Sequence, residues 1–485
     1  MSIGALLLAL GGGWGAASLP DTVPASPPVG RAAVDALQFP ELVFDPPFVE
    51  EREISGVPIY HLHDPTLPLV DIHVQVRGGT GNLPREDLAA ATGLPSLLRN
   101  GGTATLPPDS VNRRIDLLAL QLSVGGGGGS TFASLNSLTH TLDEGLELFG
   151  EMLADPGFDA EAVDVWLGQE RERVRRREDD PGSLAFSEFN RLLFGDHPVG
   201  WVLTEEELDP ERVTRDELLR VHSTLYCRGH LIVGVSGDLD WESAEPLLAR
   251  FLERWPECGE PLPDVPAPDL RREGAVFVLE RALDQSTVVM AQPGGVRQED
   301  SEEYFASRLA NHILGAGGFG SRITARVRTE QGLAYSASSV WTDPRRHEGV
   351  VGAVASTRAD RTLEATRLLL EVMDELRAEP PPNEEVEEAL QEIVNGYVFA
   401  FGSPSQIVLR RMGHRALGLP GDWLERYLDG LREVTPEAIH SVVNRHLHPA
   451  EMTILLVGDP DRFDPGLEAF ESVYRLSPDG SYEPW

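Results

Sequence analysis

The chain has 485 residues, 41% of them hydrophobic and 25% charged, a composition that supports several packed cores and argues against an intrinsically disordered protein. Asp and Glu total 78 against 41 Lys and Arg, and the formal net charge of -37 sets aside nucleic acid or an anionic lipid surface as an expected partner. No lysine occurs, so every fixed positive side chain is a guanidinium.

Residues 3–10 form an apolar run and residues 15–18 a small-residue stretch, a pattern that reads as a signal peptide although no Lys or Arg precedes it. A periplasmic or secreted location is the resulting expectation, with a cytoplasmic one as the alternative. Residues 20–47 are proline-rich and aperiodic, like an extended arm. No later segment reaches roughly 18 uninterrupted apolar residues, so no membrane span is expected. Folding is expected to begin near Val49. The alternation over 69–77 predicts a half-buried strand, and helical spacing marks 141–154, 159–177 and 214–226. A break at 255–272, through Pro256, Pro261, Pro263, Pro266 and Pro268, reads as a linker. Beyond it, 286–291 and 349–356 read as strands, and 362–377, 383–399, 403–417 and 435–447 as helices.

The two halves look like copies. Val213 and Thr214 open a helical segment that is followed by an apolar strand and by Gly237-Asp238; Val434 and Thr435 open the same series, ending in Gly458-Asp459 at the same spacing. Strand, helix and Gly-Asp turn in one register point to duplication. The expected fold class is α+β: two homologous α/β-sandwich halves, each a mainly antiparallel sheet covered by helices. The expected division is 1–47 (possible signal peptide and arm), 48–255 (first domain), 256–272 (linker), 273–475 (second domain) and 476–485 (tail).

Three stretches carry a resemblance: Val70-Asp71-Ile72-His73-Val74-Gln75-Val76-Arg77-Gly78-Gly79, then Arg99-Asn100-Gly101-Gly102-Thr103, and above all Gly317-Gly318-Phe319-Gly320-Ser321-Arg322 running on to Arg328 and Gly332-Leu333-Ala334-Tyr335-Ser336. In these the sequence resembles the insulinase/pitrilysin family of zinc metallopeptidases from about 48 to 470. Active members carry H-x-x-E-H, in which two imidazoles one turn apart grip zinc and the carboxylate activates water. Aligned on Gly102-Thr103, those positions hold Gly93, Ser96 and Leu97, which offer no imidazole or carboxylate, and no H-x-x-E-H occurs anywhere. Glu170 and Glu172 fall where the third ligand would stand, and read as solvated helix charges.

Arg328 and Tyr335 match the arginine and tyrosine with which the family holds substrate and assists at the scissile carbonyl. A helix from Ser321 to near Thr329, a turn at Gly332 and a strand from Ala334 are expected to aim both into one cavity. The resemblance therefore implies a non-catalytic, substrate-binding subunit that contributes Arg328 and Tyr335, with Gly317, Gly318 and Phe319 beside them, to a homologous zinc-bearing partner for peptide hydrolysis. No cofactor is expected in this chain, and zinc is expected in the partner. The alternatives are a structural or assembly subunit with no role in proteolysis, and an independent metalloenzyme using another set of histidines.

Other candidates have plainer readings. His61 with His63 and His446 with His448 read as surface histidines rather than metal pairs. The run from Gly125 to Gly129 lacks the ending of a phosphate loop and reads as a flexible connection or chamber wall. Charge-dense blocks at 169–180 and 383–392 read as solvated surface. Cys227 and Cys258, the two cysteines of the chain, show no spacing that indicates a disulfide framework or a thiolate metal site.

Overall fold

The computed structural model describes residues 48–270, 274–477 and 480–485, so the expected signal peptide and arm lie outside the described residues. In the first half the strands β1 (Glu50–Ile54), β2 (Val57–His63) and β3 (Leu69–Arg77) lead to helices α1 (Leu88–Asn100) and α2 (Pro108–Leu117). Then come β4 (Gln121–Gly126), β5 (Ser130–Leu138), α3 (Leu142–Ala154), α4 (Ala160–Arg176), α5 (Pro181–Phe194), α6 (Arg215–Leu225), β6 (Leu231–Gly237) and α7 (Trp241–Glu253). The second half contains β7 (Val276–Glu280), β8 (Gln285–Pro293), α8 (Glu302–Asn311), β9 (Ala334–Trp341), β10 (Val350–Arg358), α9 (Thr362–Ala378) and α10 (Asn383–Val398). It continues through α11 (Pro404–Ala416), α12 (Trp423–Arg432), α13 (Pro436–His446), β11 (Thr453–Gly458), β12 (Val473–Leu476) and β13 (Tyr482–Pro484). The last two strands fall in and beside the segment read as a tail.

The sheets run β1-β2-β6-β3-β5-β4 and β13-β12-β7-β11-β8-β10-β9. Aligning β2, β6, β3, β5 and β4 with β7, β11, β8, β10 and β9 superposes the orders, and the pairing sense agrees: β2 with β6 and β7 with β11 are parallel, the rest antiparallel. The copied helices are α6 and α13. Each is started by its predicted threonine, whose hydroxyl accepts from a backbone N–H: Thr214 from Glu217 and Thr435 from Ala438. This is the duplicated α+β fold that the repeat predicts.

Both faces of each sheet are covered, which the alternation in β3 does not predict. Val70, Ile72, Val74 and Val76 point into the first core with α1, α3 and α6. The opposite face carries His73 and Gln75, at 7% and 4% exposure, because α11 from the second half packs on β6, β2 and β3. His73 Nε2 shares a 2.7 Å hydrogen bond with Ser405 Oγ on that helix. A Cβ at Gly234 of β6 would overlap Met412 and Val408 of α11, so glycine here permits the close approach. The exchange is reciprocal: α5 of the first half lays Leu184, Ala185, Phe189 and Leu193 on Phe277, Leu279, Val289 and Leu455 of the second sheet.

Residues 255–270 are not a loose tether. Asn82 Nδ2 donates to Pro263 O at 2.8 Å, His197 Nε2 to Pro266 O at 2.8 Å and Arg228 N to Pro256 O at 2.8 Å. Cys227 and Cys258 form a disulfide, with Cα atoms 5.1 Å apart, which the sequence spacing did not indicate. The bonded sulfurs join α6's C-terminal turn to the segment that follows Trp255.

His222 of α6 is buried, and its Nε2–H donates to Leu153 O at 2.8 Å while the ring stacks on Tyr226. Burial pushes this imidazole down from 6.5 to about 4, the Leu153 contact offsetting part of the shift. Folding favours the neutral ring, so its contribution is complete above pH 6.5 and is lost as pH falls toward 4. At about 1.4 kcal/mol per unit, roughly 3 kcal/mol of stability disappears over that window. Urea unfolding at a series of pH values is expected to show this loss, and His222→Gln, which keeps a donor but does not titrate, is expected to reduce the slope.

Candidate functional site

Gly93, Ser96 and Leu97 lie on α1, a helix that continues through Pro95. Trp166 of α4 is 6% exposed, and its six-membered ring stands about 3.0 Å from where a side chain on Gly93 would begin. Leu97 is 1% exposed and belongs to the core. Ser96, Asn100, Trp166 and Gln169 line an adjoining hollow of about 620 Å3 without contributing an imidazole or thiolate. The residues present do not fit a zinc ion: of the two imidazole positions one is filled by indole and the other is apolar, and a hydroxyl stands where the water-activating carboxylate would be.

Glu170 departs from its expected role as a solvated charge. It is 5% exposed, one turn beyond Trp166, and pairs with Arg173 at 2.6 Å; Glu172 is the exposed member and pairs with Arg176 at 2.6 Å. His61 is likewise buried, its Nε2–H donating to Leu239 O at 2.8 Å, whereas His63 stays exposed near Asp238. His446 is hydrogen-bonded to Glu303 at 2.7 Å, and His448 to Arg445 O at 3.0 Å. No two of these imidazoles converge. The glycine run after β4 is held by backbone bonds from Gly78 N to Gly129 O and Gly81 N to Gly128 O, each 2.9 Å. It is a wall fixed to the end of β3.

The second-half residues do converge. A π-helical turn over His312–Ala316 ends at Gly317, and Gly318, at φ +66, turns the chain so that Phe319 projects outward at 72% exposure. Ser321 Oγ closes this turn by donating to Gly318 O at 2.7 Å. A second π-helical segment, Thr324–Glu330, carries Arg328. It is anchored by Arg322, whose two guanidinium bonds to Glu385 of α10 measure 2.8 and 2.6 Å, and by Thr324 Oγ1, which donates to Ala337 O. Wide helical turns of this kind recur at functional sites because they re-aim one residue. Gly332, at φ +61, then turns the chain into β9, as the sequence predicts.

Tyr335 stands on that strand, which is an edge of the second sheet. Thr357 and Ser356 of β10 pair with Ala334 and Ser336, so Tyr335 is the extra residue of a β-bulge. The bulge turns two successive side chains outward, and Tyr335 reaches 82% exposure. The Arg328 guanidinium carbon lies 4.9 Å from the Phe319 ring centre and 5.7 Å from that of Tyr335. Arg328 is thus flanked by two aromatic faces, and among the described residues it makes no ion pair. The structure brings Phe319, Arg328 and Tyr335 together, with Gly317 and Gly318 shaping the turn, but on an open edge rather than in the expected cavity.

Chemically this edge offers a rigid fork of N–H donors, a phenolic O–H and, along the outer side of β9, backbone groups that no other strand covers among the described residues. The sequence did not reveal the bulge or the Phe319 contact. The only available signal was the pair of glycines bracketing Arg328.

Residues 212–393, from α6 to α10, match the family model described as the Peptidase M16 inactive domain. An uncharacterized zinc protease of Streptomyces coelicolor is 25% identical over 307 residues, an alignment covering 61% of this chain and 65% of that protein, just under two thirds of the relative. The non-peptidase homolog YmxG of Helicobacter pylori is 21% identical over 410 residues, covering 84% of this chain and 94% of that one. A solved peptidase M16 inactive domain from Pseudomonas fluorescens shares the fold with a TM-score of 0.78 at 24% identity, over 86% of this chain and 100% of that one. The chain is thus similar to the M16 peptidase family, the insulinase/pitrilysin relatives that its motifs resemble, and it carries no H-x-x-E-H.

Proposed function

We propose that this chain is a non-catalytic, peptide-binding subunit that lends Arg328 and Tyr335 to the active site of a zinc-bearing homologous partner. The observation that carries this reading is an asymmetry. Trp166 and Leu97 fill the first half's metal position, whereas Phe319, Arg328 and Tyr335 stand exposed at β9, which is an edge strand among the described residues. An extended peptide can add to such an edge through its main chain. Tyr335 Oη is then placed to donate to a carbonyl oxygen as negative charge develops on it, while Arg328 holds a neighbouring carbonyl or carboxylate. The metal-activated water belongs to the partner. A disulfide that ties the linker to α6 supports an oxidising compartment, and with the apolar leader it supports a periplasmic or secreted location. Among the described residues no helix is long and apolar enough to cross a membrane.

The test is reconstitution with a zinc-bearing relative and a quenched fluorescent peptide. The mixture is expected to hydrolyse peptide faster than the partner alone. Tyr335→Phe, which removes one hydroxyl from a side chain that packs against little else, is expected to lower kcat by about 100-fold with a small change in KM. An assembly subunit with no role in proteolysis would show neither the gain nor the loss.

A further inference from the structure

A cavity of about 1010 Å3 opens at the end of β3 and is walled by the glycine run, residues 258–265, residues 344–347 and the end of α11. Its volume is at the upper end of ligand pockets. Three features indicate what it takes.

The first is charge. Acids outnumber bases nearly two to one in this chain, yet Arg77, Arg345 and Arg346 all reach the cavity, and among the described residues none makes an ion pair. Arg77 donates to Gly229 O at 2.6 Å and Arg345 to Gln298 O at 2.9 Å, bonds that place the guanidiniums without neutralising them. Burial, with added repulsion from Arg415 and Arg346, holds the Arg77 guanidinium below the usual arginine range.

The second is Gln75, which lines the cavity at 4% exposure with its Oε1 buried and lacking a hydrogen-bond partner. A buried acceptor left without a donor costs about 1–3 kcal/mol, and a ligand N–H would relieve it once a small rotation of the amide brings Oε1 to the cavity surface. Gln75 and Arg77 share one face of β3, about 7 Å apart. The third is apolar surface: Phe132, Val199 and Leu417, each at least 44% exposed, line this same space.

We infer that the cavity binds a short anionic peptide segment: Arg77 and Arg346 hold a carboxylate, Gln75 Oε1 accepts a main-chain N–H, and Phe132, Val199 and Leu417 cover apolar side chains. Glu260 and Asp264 on the linker wall confine the favourable field to the arginine end, which selects a ligand with a localised acidic group over a polyanion. The site shares no residue with the Arg328–Tyr335 edge, so its occupancy does not depend on a zinc-bearing partner.

The experiment is fluorescence polarisation with the isolated full chain and labelled Gly-Ala-Leu-Val-Leu-Glu carrying a free carboxylate. Controls are the Gln-terminated amide and a Lys-terminated amide. Saturable binding is expected for the acidic peptide, weakened at least 10-fold in either control and in Arg346→Glu. Arg346 is exposed and makes no hydrogen bond among the described contacts, so its reversal leaves the fold intact. Gln75→Leu, of similar shape, is expected to weaken binding several-fold. Absence of saturable binding, equal binding of the amides, or indifference to Arg346→Glu each overturns the inference.

Discussion

Gly93→His, Ser96→Glu and Leu97→His introduced together are expected to give a destabilised chain that takes up no stoichiometric zinc. The substitutions restore the letters of H-x-x-E-H but not the space. A side chain on Gly93 meets the Trp166 ring at about 3.0 Å, so the imidazole either displaces the indole or turns away from the metal position. Leu97 contributes to the first core at 1% exposure, and an imidazole there loses packing and leaves a polar group buried. Such replacements cost about 2–5 kcal/mol each in comparable cores. Urea unfolding and metal analysis after dialysis test both halves of this expectation. One tightly held equivalent of zinc in a chain of unchanged stability would show that the loss of the motif is the whole of the difference.

Phe189→Ala is expected to cost about 3–5 kcal/mol and to lower the unfolding midpoint of both halves together. Phe189 is 4% exposed on α5, a helix of the first half whose apolar side covers the second sheet around Phe277 and Leu455. The reciprocal helix, α11, closes the polar face of the first sheet over His73 and Gln75. With each half supplying a layer of the other, neither core is complete alone, and a single cooperative transition follows. Tryptophans in both halves report on it, Trp166 and Trp255 in one and Trp341 and Trp423 in the other. Two separable transitions, with only one shifted by Phe189→Ala, would contradict the exchange.

These expectations rest on features of unequal legibility. The strand Leu69–Arg77 and the helices at 362, 383, 404 and 436 lie where periodicity places them, because a local pattern of apolar residues fixes local structure. Duplication was legible for the same reason. What lay beyond reach depends on partners far along the chain. His73 and Gln75 read as the solvent side of a half-buried strand, and only the arrival of α11, more than 300 residues later, buries them. Glu170 read as a solvated charge because helical spacing says nothing of α1 packing beside it. Cys227 and Cys258 gave no framework by spacing, since the loop that joins them folds back through α7. At the candidate site, Arg328 and Tyr335 were found through their motif. The bulge that exposes Tyr335 is a mismatch between β9 and β10, and no single strand's sequence displays it.

The crossing of α5 and α11 also bears on how the protein is made. Chains emerge from the ribosome amino end first, at roughly 5–20 residues per second. The β6 strand ends at Gly237 and its covering helix begins at Pro404, so one face of the first sheet waits on the order of ten seconds or more for its lid. During that interval the nascent chain exposes Gly234, Gln75 and their neighbours, while α5 has no sheet to rest on. Closure of the first sheet is therefore expected to lag behind its formation by this interval, and holding chaperones are expected to act on this intermediate.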